Sequence, residues 1–61
     1  MKIYKLKKNF KGFKKGTQFY LIAESEFIGV KDFVFRTEDL AIRISVNEKE
    51  LLQNFTLLRD G

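Results

Sequence analysis

Seven phenylalanines and two tyrosines in a 61-residue chain with no cysteine and no histidine set the main constraint on folding. A chain this short hides only about 60% of the surface that its unfolded form exposes, and small folds usually add a disulfide or a bound metal. Neither route is open here, because thiolate and imidazole ligands are missing. Aromatic rings, each able to bury about 150–250 Å², must then supply the core. Charged residues make up 33% of the chain and are interspersed with apolar ones rather than gathered in long polar tracts, which argues against disorder. Residues 1–61 read as a single small domain.

Hydrophobic periodicity points to strands. Ile3 to Lys7 alternates and is rich in Lys, as an edge strand would be. Asn9 to Gly16 is a loop, punctuated by Gly12 and Gly16. Thr17 to Glu24 reads as a central strand, with Phe19, Leu21 and Ala23 on one face and Tyr20 and Ile22 on the other. The spacing then predicts a turn at Glu24-Ser25-Glu26, a bulge or close backbone approach at Gly29, and a strand from Val30 to Arg36. Leu40, Ile42, Ile44 and Val46 alternate with Ala41, Arg43, Ser45 and Asn47, the cleanest period of two in the chain. Asn47 with Glu50 three residues on forms a capping-box pattern, so a helical turn or two should follow before a last strand over Phe55 to Leu58. Phe19, Leu21, Phe33, Phe35, Ile42 and Ile44 are the expected filling of the core.

This order of elements, with a long first loop and a helical turn before the final strand, resembles the small five-stranded SH3-like barrel. Phe13 to Phe19 is similar to the opening of KOW-type barrels, although the later glycine pattern of that family is missing. The resemblance implies an all-β, mainly antiparallel fold; an open antiparallel sheet with one covering helix would use the same elements. It implies little about function. The acidic loop and paired Trp of peptide-binding SH3 domains are missing, so recognition of proline-rich peptides is poorly supported.

Charge is the most informative functional feature. Lys2, Lys5, Lys7, Lys8, Lys11, Lys14 and Lys15 give the first sixteen residues a charge of +7 with no acid, while the remaining five bases and eight acids amount to −3. Such asymmetry suggests a polyanion or an acidic protein surface as partner. Lys5, Lys7, Lys8, Lys11, Lys14 and Lys15, interleaved with Phe10 and Phe13, are the candidate nucleic-acid-binding residues. Lysines neutralise phosphates and exposed rings stack on bases, giving weak, salt-sensitive binding without sequence readout. Phe10 and Phe13 have a second reading, as a lid over one end of the core. Arg36 and Arg43 fall on neighbouring strands and could form an anion site, with pairing to Glu38 or another acid the more ordinary outcome.

A competing reading is a protein-interaction module, an adaptor or inhibitor of the size that phages and mobile elements encode. Tyr20, Ile22, Val30 and Val34 would face outward and pool into an apolar surface for a partner or a homodimer, with the basic face as the other surface such a module could use. A DNA mimic is disfavoured by the net charge of +4. Catalysis has little to work with. Ser25 and Ser45 have no His to activate them, and the pairs Glu24/Glu26 and Glu38/Asp39 sit beside turns, where solvated carboxylates are common. Lys15 precedes Gly16 rather than following it, so the phosphate-loop motif is absent. Neither a cofactor, a metal nor a small-molecule substrate is expected. The longest apolar run, Phe19 to Ala23, is too short for a signal core or a bilayer span, so a soluble, cytoplasmic protein without membrane contact is expected. The sequon Asn54-Phe55-Thr56 is read as chance.

Overall fold

The aromatic-rich segment after the first loop becomes the longest strand. In the computed structural model, which describes all 61 residues, the strands are β1 (Lys2–Leu6), β2 (Gln18–Phe27), β3 (Val30–Thr37), β4 (Arg43–Asn47) and β5 (Phe55–Asp60). Helix α1 (Glu48–Asn54) joins β4 to β5. All neighbouring strands are antiparallel, in the order β4-β3-β2-β1-β5. The all-β reading with one short helix before the last strand therefore holds. Closure into a barrel does not: β4 and β5 are the two edges and share no ladder. Helix α1 contacts β3, β4 and β5 and occupies the side of the sheet between them. A helix is about 10 Å across, twice the spacing of paired strands.

One face of the sheet holds the core. Leu6, Phe19, Phe33, Phe35, Val46, Leu51 and Phe55 are buried there. The rings of Phe35 and Phe55 stack with centroids 4.8 Å apart, and Phe19 meets both edge-on. Leu21 and Ile44 pack against this cluster but are only partly buried. Ile42, expected inside, is 49% exposed because the chain is still irregular there and β4 begins only at Arg43. The connection before it is shaped by Asp39, whose carboxylate accepts from the Thr37 hydroxyl and the Ala41 N–H. Those bonds, the Thr37 one foremost, hold the Asp39 carboxyl below its ordinary value.

Two features of β2 depart from the sequence pattern. The register with β3 slips between Leu21 and Ala23, leaving Ile22 as the extra residue of a bulge. Ala23 is thereby moved off the face of Phe19 and Leu21 and stands opposite Val34, while Glu24 comes opposite Phe33. Second, Glu24-Ser25-Glu26 is strand, not turn: Ser25 pairs with Asp32 and Glu26 with Lys31. The reversal comes at Ile28-Gly29, where φ is +51° and +76°, the two positive values that a two-residue hairpin turn needs. Gly29 thus serves a turn rather than a bulge. Every residue from Ile22 to Asp32 is exposed, so the end of the β2–β3 hairpin is an arm with water on both faces.

Candidate nucleic-acid interface

The long loop after β1 is folded back on itself. Phe10 and Phe13 exchange backbone hydrogen bonds of 2.9 and 2.8 Å across a turn whose central residues, Lys11 and Gly12, have φ of +49° and +84°. The Gly16 N–H donates to Leu6 O at 2.9 Å, returning the chain to β1. Asn9 Oδ1 accepts from the Lys15 N–H at 2.8 Å. These bonds confine Lys7, Lys8, Lys11, Lys14 and Lys15 to one compact lobe.

The two rings between those lysines point inward. Phe10 meets Phe55 edge-on at 5.7 Å and Phe13 meets Phe19 at 5.1 Å, so both are partly buried against the core and form its lid. Free stacking platforms they are not. What the lobe presents is ammonium groups: Lys7, Lys8, Lys11, Lys14 and Lys15 are all exposed, as is Lys5 on the neighbouring β1. The one ion pair in the molecule, Lys31 with Glu48 at 3.7 Å, involves none of them. Two have carbonyl partners instead. Lys7 Nζ donates to Leu52 O at 3.1 Å in the last turn of α1, where a cation is favoured, and Lys11 Nζ reaches Ser45 O on edge strand β4 at 3.5 Å. Lys11 also lies over the Phe10 ring, 5.5 Å from its centroid.

The face of the sheet opposite the core carries a second basic group. Registers across the ladders align Arg43, Arg36, Tyr20, Ile3 and Arg59 in one row over all five strands, because each residue is the direct partner of the next. Lys5 stands in the adjoining row between Gln18 and Thr56. The acid partner expected for Arg36 or Arg43 is not there. Arg36 Nη1 donates instead to Leu40 O at 3.0 Å, a carbonyl turned toward it by a backbone with φ of +63° at Leu40. The pairing of Arg36 with Arg43 was visible in the sequence as two neighbouring strands; Tyr20 and Arg59 join them only through register.

Of the apolar candidates, Tyr20, Val30 and Val34 share this outer face with the bulged Ile22. Ile22 is 43% and Val30 59% exposed, whereas Tyr20 and Val34 are partly buried. Phe27 and Ile28 at the hairpin tip, not anticipated as surface residues, are 77% and 85% exposed. The single cavity, about 300 Å³, lies on the arm and is lined by Glu24, Ser25, Glu26, Lys31 and Phe33. No helix is long and apolar enough to cross a membrane. In comparisons with protein-family models, curated proteins and solved structures, nothing matches the chain.

Proposed function

We propose that this protein is a non-enzymatic binder of nucleic acid, acting through charge and without sequence readout. The observation that carries the reading is a set of six exposed ammonium groups, five in the lysine lobe and Lys5 beside it on β1, none compensated by a carboxylate. Like charges held together in this way repel one another, and a polyanion relieves that repulsion while releasing its own counterions. Because Phe10 and Phe13 are turned inward, phosphate neutralisation is the lobe's contribution. The same reading takes the chain as an SH3-like variant in which α1 and the lid, rather than strand pairing, complete the core; the strand order and the helix before β5 support it.

A salt titration of binding to a DNA duplex tests it. With four phosphate contacts, affinity should fall by about two decades between 50 and 200 mM salt. Changing Lys8, Lys14 and Lys15, which have no carbonyl partners, to Gln should weaken binding and flatten the slope. Binding that is absent at low salt, or indifferent to salt, removes the proposal.

A second reading, protein interaction, is favoured by the arm. An isolated two-stranded hairpin is marginal in water, and this one also exposes Phe27, Ile28 and Val30 at its end. Together with Tyr20, Ile22 and Val34 they form the surface that a protein partner or a second copy would cover.

A further inference from the structure

Arg36 and Arg43 are in direct register on the open face, where two like charges on facing residues destabilise a sheet. No carboxylate offsets this: neither is in an ion pair, and Arg36 has only the Leu40 carbonyl as a partner. A bound anion would remove the conflict. Arg36 is also held in place, since its Nη1 is anchored to Leu40 O at 3.0 Å while the rest of its planar fork remains unused. The next residue along the row is Tyr20, the direct partner of Arg36 on β2. Unlike Tyr4, which meets Phe35 edge-on at 5.3 Å and Phe55 at 6.4 Å, Tyr20 belongs to no aromatic pair. A cationic fork beside a partly buried ring that stacks on no other ring matches a phosphate followed by an unstacked base.

From this juxtaposition we infer that Arg36 and Arg43 clamp a backbone phosphate of single-stranded nucleic acid while Tyr20 stacks on the neighbouring base, making the open sheet face a single-strand subsite distinct from the lysine lobe. The inference rests on the nucleic-acid reading above and adds a preference that charge alone does not give. A duplex keeps its bases stacked inside and offers Tyr20 no partner, and polyphosphate has no bases at all.

The test compares three probes by fluorescence anisotropy or competition at low salt: a thymidine oligonucleotide, a duplex of the same length, and polyphosphate. The single strand should bind tightest. Tyr20→Ser should weaken it about tenfold and leave the duplex unchanged, while Tyr20→Phe, which keeps the ring, should restore it. Arg36→Gln with Arg43→Gln should lower the single-strand salt slope by about 0.7, the share of the one phosphate they hold. Far-ultraviolet circular dichroism of each variant checks that the sheet is intact. Equal binding of all three probes, or single-strand affinity untouched by these changes yet lost with the lysines, overturns the clamp and leaves the general function standing. Failure of the unaltered protein to bind any probe overturns both.

Discussion

Ile28 is the residue least suited to its place. Its φ of +51° lies in the left-handed region, which a β-branched side chain enters at a cost of about 1–2 kcal/mol, and the side chain is 85% exposed, so little packing offsets that. The Asn-Gly pair preferred in such turns would fit the same backbone. Ile28→Asn should therefore raise stability by about 1 kcal/mol. In urea denaturation the midpoint should move up with an unchanged slope. A lower midpoint would mean that Ile28 packs against something in solution. A strained, apolar and exposed residue is the kind of local conflict that a contact surface retains. Single residues also explain why the arm differs from its sequence pattern. Glu24-Ser25-Glu26 has the composition of a turn, and Gly29 that of a bulge. Cross-strand pairing of Glu26 with Lys31 and the permissive φ of Gly29 decide the reverse.

At the scale of elements, α1 is the clearest case of local determination. Seven residues are too few for a helix to persist alone, so its start must be fixed by capping and its face by packing. The Glu50 N–H donates to Asn47 Oδ1 at 2.8 Å and the Asn47 N–H to Glu50 Oε1 at 3.0 Å, the reciprocal pair that the spacing of these residues predicts. Leu51 enters the core, and the chain passes straight from Asn54 into β5, with the Phe55 N–H bonded to Leu51 O. Asn47→Ala should lower stability by about 1 kcal/mol in thermal or chemical unfolding. Adding Glu50→Ala should subtract less than its effect alone, because the two residues act on one another. Strict additivity would mean that the reciprocal bonds do not form. The strand expected from Leu40 shows the opposite case, since the pattern is right from Arg43 onward but the bonds of Asp39 hold the preceding residues in a connection.

Viewed whole, the molecule is polar in two senses. Its lysine lobe caps the end of the sheet where β1 finishes and β2 begins, and at the far end of β2 the arm carries Glu24, Glu26 and Asp32 against one Lys31, with an apolar tip. A polyanion would favour the first end and be repelled by the second. If the arm and outer face bind a second copy, sedimentation at micromolar concentrations should show species heavier than the monomer, and Ile22→Ser with Val30→Ser should restore it. A single monomeric species throughout would exclude self-association and leave the apolar surface to a different protein.

Read alone, the residues from Met1 to Gly61 were enough to establish a β-rich chain with an aromatic core, a loop dense in lysine, and a helix cap at Asn47. Each of those depends on composition or on neighbours within a few positions, where backbone preference and side-chain reach act directly. Tertiary structure decided the bulge at Ile22, the open edges at β4 and β5, the inward turn of Phe10 and Phe13, and the row that brings Arg59 beside Ile3 and Tyr20 beside Arg36. The physical reason is register. A shift of one residue in any ladder moves a whole set of side chains to the other face, and the register is chosen by the packing of strands far apart in the chain.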